Sequence, residues 1–182
     1  TVMSWLFELL FLEIFSFRLV QTDPNFANYR YNLATNQLVL LDFGACRDYP
    51  AKISDAYRAL FAAALAQDTA AMAHALTEIG FFSQQILPAQ KQAVLSLVQL
   101  ACEPFQHYAD FDFGQTDLAS RLRDAGTALS MQQNYWHTPP ADALFLHRKI
   151  AGLYLLAARL GAQVNVRALL EPYLAENSAT IT

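Results

Sequence analysis

The apolar positions of the first twenty residues leave almost no polar face. From Val2 to Val20 hydrophobic side chains run nearly all round a helical projection, with Thr1, Ser4 and Glu8 along one edge. That pattern predicts a helix packed on most of its surface, with Pro24 helping to stop it. The period then changes: "YRYNL" and "QLVLLDF", on either side of "ATNQ", combine aromatic, β-branched and aliphatic residues in partial alternation, as two short strands of one hairpin would. After Tyr49 the period returns to 3.6. Helices are predicted over 52–66, over 69–79 behind an Asp68 cap, from Pro88 to about Ala101, and over 118–131 behind Thr116 or Asp117. A longer helix follows, with Thr138 as cap, Pro139 and Pro140 at its start and Gly161 past its end, and a last short one runs from an Asn165 cap to near Tyr173. The expected fold is mainly α, a helical bundle with one small β-hairpin, in a single domain over residues 1–182.

Composition narrows the function classes. Hydrophobic residues make up 54% of the chain and charged residues 15%, which argues against disorder. The net charge is -4 and the nine Arg and three Lys are scattered, so no electrostatic footprint for nucleic acid exists. Cys46 and Cys102 are too few for a disulfide framework and show no metal-binding spacing, which points to a reducing compartment. The first helix is nearly long enough to cross a bilayer, but Glu8, Glu13 and Arg18 interrupt it, and a buried core helix fits better. It also lacks the cationic start and the cleavage site of a signal peptide. The opening at Thr1 without Met leads to the expectation that the chain begins inside a larger protein.

The hairpin carries the candidate chemistry. With a turn centred near Thr35, antiparallel partners have numbers summing to about 70, which pairs Tyr31 with Val39 and Asn28 with Asp42. Opposed residues of such a ladder have Cα atoms roughly 4.5 to 5.5 Å apart, so an amide oxygen and a carboxylate would converge at the open end. Hard oxygens of this kind suit Mg²⁺, whose octahedron is completed by water and phosphate. Asp23 lies five residues before Asn28, across a stretch that Pro24 keeps extended. It would bring a second carboxylate to position, or take a proton from, an attacking hydroxyl. Gly44 lets the backbone turn sharply beside Asp42. The same residues also read as turn chemistry, with Asp23 and Asn25 bonding their own backbone and Asp42 capping the next segment.

"QTDPNFANY" followed by "LVLLDFGACRDY" resembles the catalytic loop and metal-binding loop of the UbiB family of atypical kinases, protein-kinase-like proteins linked to coenzyme Q biosynthesis. "LFLHRKIAGLYLLAARLGAQVNVRALLEPY" resembles that family's C-terminal helices. The resemblance implies a kinase-like C-lobe, with Asp23 as the catalytic-loop aspartate, Asn28 as the magnesium-binding asparagine and Asp42 as the metal-binding aspartate. Gln21-Thr22-Asp23 stands where a generic kinase has H-R-D. It further implies ATP and Mg²⁺, a kinase or ATPase activity supporting ubiquinone synthesis, and isoprenoid quinone intermediates or quinone-biosynthesis proteins as partners. Peripheral membrane contact is implied too, at the bacterial inner-membrane face or in the mitochondrial matrix. Nothing in the chain matches the nucleotide loop, the strand lysine, its glutamate partner or the K-x-G-Q segment, which lie upstream in that family. The N-lobe is therefore expected to be absent and the isolated chain to be inactive. A non-catalytic helical module binding protein or lipid, and a nucleotide-binding pseudokinase, are the other readings.

Other residues draw attention without a metal or nucleophile pattern. Arg47 is a candidate for pairing with Asp23 or Asp48 to fix the loop. His147-Arg148-Lys149 reads either as a phosphate-binding cluster or, since three consecutive helical residues point apart, as structural, with His147 or Arg148 expected to bond into the loop near Asp42. Cys46 reads as a packed thiol, and Phe105, Tyr108, Phe111 and Phe113 of "PFQHYADFDFG" read as core. His74, His107 and His137 have no ligand spacing.

Overall fold

The first helix sets the core because its side chains are apolar on nearly every face. The computed structural model describes residues 2–23, 25–82, 84–131 and 139–175. In it α1 (Val2–Phe11) continues as π-helical turns over Leu12–Phe17. Phe7, Leu10, Phe11 and Ile14 are fully buried. Phe7 stacks on Phe113 with centroids 5.6 Å apart, Phe11 meets Phe105 at 6.1 Å, and Phe61 meets Phe105 edge-on at 5.1 Å. Each such pair adds about 0.5–1.5 kcal/mol beyond the area it buries.

The helix stops short of the expected Val20. It ends at Arg18, which adopts a left-handed conformation (φ 52°) and donates its N–H to the Glu13 carbonyl. The chain then enters a strand, β1 (Leu19–Gln21), whose partner lies more than twenty residues away. Strands β2 (Tyr29–Asn32) and β3 (Gln37–Leu40) form the expected hairpin, and β4 (Cys46–Asp48) pairs antiparallel with β1. The helices follow as α2 (Ala51–Leu65), α3 (Thr69–Ile79) and α4 (Pro88–Ala101). After a two-residue strand β5 (Phe111–Asp112) come α5 (Leu118–Met131) and α6 (Ala141–Arg159). A second short strand, β6 (Gln163–Val164), pairs with β5, and α7 (Val166–Leu174) closes the described chain. The described residues are thus mainly helical, with three two-stranded antiparallel sheets where one hairpin was expected.

Local capping chemistry holds where it was predicted. Asp68 accepts from the Ala71 N–H at 2.9 Å, Asn165 from that of Ala168 at 2.9 Å, and Thr116 from that of Leu118 at 3.1 Å. The Thr138 cap lies outside the described residues. The turn after α3 is the most demanding one: Gly80 has φ +93°, and a Cβ there would lie 2.8 Å from Pro140 Cγ. Gly80→Ala is therefore expected to lose about 1–2 kcal/mol from left-handed strain alone. Thermal unfolding should show a drop of several degrees, and an unchanged melting temperature would contradict it.

Candidate functional site

Two stacked ladders bracket the candidate loops. In the outer one Leu19, Val20 and Gln21 face Asp48, Arg47 and Cys46. It is prolonged by Thr22, whose N–H and Oγ1 both donate to the Ala45 carbonyl, at 3.0 and 2.6 Å. In the inner one Asn32 faces Gln37 and Tyr29 faces Leu40, and the Leu41 N–H donates to the Asn28 carbonyl at 2.9 Å. Residues 23–28 and 41–44 are thus the two arms between the clasps, and Asp23, Asn28 and Asp42 all lie on them.

The inner register differs by one from the expected pairing. Partner numbers sum to 69, so Arg30 rather than Tyr31 faces Val39, and Asn28 neighbours Leu41 rather than Asp42. In a ladder a slip of one exchanges the two faces, so direct opposition does not bring Asn28 to Asp42. The cause is the loop. Asn32 Oδ1 accepts from the N–H groups of Ala34 and Thr35, and Asn36 takes a left-handed conformation (φ 55°), which centres the turn between Ala34 and Thr35.

The side chains of the first arm are organised on Asp23. Its Oδ2 accepts from Asn28 Nδ2 at 2.9 Å and its Oδ1 from the Asn25 N–H at 3.2 Å. Asn25 in turn accepts from the Ala27 N–H at 3.0 Å. The turn chemistry foreseen for Asp23 and Asn25 is present, and the same carboxylate also orients the Asn28 amide. An amide that donates through nitrogen keeps its oxygen as an acceptor for a cation. On the second arm Asp42 Oδ1 accepts from the Gly44 N–H at 2.8 Å, and a Cβ on Gly44 would sit 3.2 Å from that oxygen. Gly44 serves by this close approach; its φ is not positive. Asp42 is exposed, whereas Asp23 and Asn28 are half-buried.

Beneath the arms lies a buried charged pair. Lys149 of α6 donates to Glu13 of the π-helical turns, and both side chains are almost fully enclosed, at 5% and 7% exposure. Burial pushes the Glu13 carboxyl up and the Lys149 ammonium down, and each charge opposes the shift of the other. The backbone of Gln21 hydrogen-bonds to Glu13. The Gln21 side-chain amide is buried with no partner for either polar atom. Tyr29 is pushed up to about 12 by burial, reinforced by the negative charges of Glu13 and Asp23, so its phenol stays protonated. Burial also raises the Cys46 thiol, in keeping with a packed rather than a reactive cysteine.

Several expected contacts go elsewhere. Arg47 pairs with neither Asp23 nor Asp48. Its Nε lies 2.9 Å from Asp142 Oδ1 and its guanidinium sits 4.9 Å over the Phe145 ring, so it ties β4 to the first turn of α6. His147 turns into the core, stacked on Phe81 at 5.0 Å with Nε2 3.2 Å from the Tyr57 hydroxyl, while Arg148 lies over Phe145. Of the three consecutive residues Lys149 is the one that pairs with Glu13. Phe105, Phe111 and Phe113 are core, but Tyr108 is exposed and carries the Arg167 guanidinium 3.7 Å over its ring. His107 lies against Phe111, and His137 falls outside the described residues. Sequence reasoning missed Glu13, Lys149 and Asp142. The one available signal was Glu13, an acid inside an apolar helix, which must find a partner if it is buried.

The donor set is two carboxylates and an amide. Among the described residues no three His, Cys, Asp or Glu side chains converge as a metal site. Hard oxygens of this kind suit Mg²⁺, whose shell water and phosphate would complete.

Residues 1–76 match the ABC1 atypical kinase-like domain. The chain is 34% identical over 160 residues to the atypical kinase COQ8B, mitochondrial, of Danio rerio, covering 88% of this chain and 25% of that protein. It is 35% identical over 155 residues to the atypical kinase COQ8, mitochondrial, of Saccharomyces cerevisiae, covering 84% of this chain and 30% of that one. The Rattus norvegicus COQ8B matches at 32% over 91% of this chain. The chain belongs to the UbiB-type, or ABC1, family of atypical kinase-like proteins. It spans about a quarter to a third of the length of these relatives.

Proposed function

We propose that this chain is the metal- and acceptor-bearing lobe of an atypical kinase or ATPase that acts in ubiquinone synthesis. The observation that carries the reading is the clasped pair of arms, in which Asp23 orients Asn28 and Gly44 orients Asp42. In the proposed roles Asn28 and Asp42 hold Mg²⁺, which when bound neutralises phosphate charge. Asp23 faces the reacting hydroxyl or water and accepts its proton, while the Asn28 amide fixes the carboxylate's direction. Glu13, paired with Lys149, meets the Gln21 backbone just before the first arm. ATP is the proposed nucleotide, and isoprenoid quinone intermediates or quinone-biosynthesis proteins are the proposed partners.

Several features support a half-site. Leu19, Phe26, Leu41 and Phe43 are exposed around the arms, an apolar rim of the sort another lobe covers. The curated relatives are three to four times longer, and we infer that an upstream lobe grips the adenine and phosphates. The relatives' names place them in mitochondria, and we propose the matrix over the bacterial inner-membrane face. No described helix is long and apolar enough to cross a membrane; the membrane contact we propose is peripheral. The exposed rim equally favours a second reading, a non-catalytic module that binds a protein or lipid.

Titration calorimetry with Mg·ATP separates the two. The chain alone is expected to bind weakly, and the chain joined to the upstream lobe of a relative at least tenfold more tightly. Equal failure of both to bind would favour the module. Binding by the joined protein without phosphate release would identify a pseudokinase.

A further inference from the structure

α2, α4, α5 and α6 line a half-open pocket of about 390 Å³. It is larger than the engineered apolar void of about 150 Å³ that stays dry and takes up benzene, and within the range that holds small organic ligands. Its wall is almost wholly hydrocarbon, with Leu60 and Phe61 from α2, Val94 and Val98 from α4, and Leu122 and Leu129 from α5. No Asp, Glu, Lys or Arg is among its lining residues.

Polar function in the wall is sparse. The Tyr57 hydroxyl and His147 Nε2 are 3.2 Å apart, and the Tyr154 hydroxyl donates to the Ala101 carbonyl at 2.7 Å. A phenol offers one donor and two acceptor sites, so the Tyr57–His147 pair keeps hydrogen-bonding capacity beyond its own bond. Burial lowers His147 to about 4, and the pair is therefore neutral at pH 7.

Gly126 indicates that the space is maintained. It lies on one face of α5 with Leu122, Leu129 and Ser130, at helical spacings of four, three and four, and all four line the cavity. A Cβ built on Gly126 would meet no atom within 4 Å. Glycine is a poor residue in the middle of a helix, and no close approach of a neighbour requires it here. Its effect is to leave the room open.

We propose that this cavity binds a neutral, mainly hydrocarbon ligand with at most one hydroxyl or carbonyl group, the polar group being met by Tyr57 and His147. A charged headgroup is disfavoured because nothing in the wall compensates its desolvation. The site is separate from the Asp23, Asn28 and Asp42 arms, and the proposal does not depend on their role. α6 touches both, with Lys149 under the arms and His147 in the cavity wall.

The test uses 1-decanol and decanoate as probes on the 182-residue chain, followed by calorimetry and by the rise in melting temperature that binding to the folded state produces. Decanol is expected to bind and to raise the melting temperature, and decanoate to bind at least tenfold more weakly. Gly126→Leu should fill the cavity and weaken decanol at least tenfold, whereas Gly126→Ala, which only improves the helix, should retain most of the binding. Ala151→Leu fills the space from α6 and carries the comparison if Gly126→Leu does not fold. The proposal is overturned if decanol does not bind the unaltered chain, if decanoate binds as well, or if a folded, cavity-filled variant keeps its affinity.

Discussion

Lys149→Met is expected to cost about 3–5 kcal/mol of unfolding free energy, the usual consequence of leaving one member of a buried ion pair alone. The size follows from enclosure: Glu13 and Lys149 are 7% and 5% exposed. Methionine preserves most of the volume, so the loss reports charge rather than a cavity. The pH dependence has a definite sign. Burial already holds the Glu13 carboxyl above its ordinary value of 4.5, and loss of Lys149 raises it further. An acid whose pKa is raised on folding contributes stability below its unfolded value and loses it as pH rises through the folded one. The deficit of Lys149→Met should therefore be smallest near pH 4.5 and grow toward neutrality in urea unfolding. Glu13→Gln added to it should recover more than half of the loss, because the amide still accepts from the Gln21 backbone and no charge remains. A small, pH-independent loss would show that the pair is not a buried charged contact.

Asp42→Asn should have the largest functional effect. Removing a partner that merely orients a metal ligand costs 10–100-fold, so loss of a direct carboxylate ligand is expected to lower Mg-dependent ATP turnover by at least about 10²-fold in the chain joined to an upstream lobe. Stability should barely change. Asp42 is exposed, and asparagine keeps the oxygen that accepts from the Gly44 N–H. Phosphate release and thermal unfolding, measured on the same preparation, separate the two effects.

Helix positions and caps were legible because both are local: Asp68, Asn165 and the Gly161 terminus each announce a boundary within a few residues. What escaped depends on distant partners. The apolar run to Val20 reads as one helix, yet its last residues are a strand because Cys46–Asp48 lies beside them. The inner register was misplaced by one because Asn32 captures two backbone N–H groups and shifts the turn, a choice that alternation alone does not reveal. Asp23, Asn28 and Asp42 were singled out by motif and spacing. The Thr22–Ala45 clasp between their arms and the Glu13–Lys149 pair join residues 23 and 136 positions apart. Arg47 was rightly singled out as a residue that fixes something, but its partner is Asp142, on a helix that follows almost a hundred residues later.

The metal role of Asn28 and Asp42 is tested most directly by paramagnetic resonance of Mn²⁺, standing in for Mg²⁺, titrated with ATP into the chain joined to an upstream lobe. The unaltered protein should give an immobilised manganese signal that requires nucleotide. Asp42→Asn and Asn28→Ala should each weaken it at least tenfold, while Asp48→Asn, a nearby exposed carboxylate on β4, should leave it unchanged. Manganese held with equal affinity after Asp42→Asn would contradict the assignment of these arms as a metal–nucleotide site.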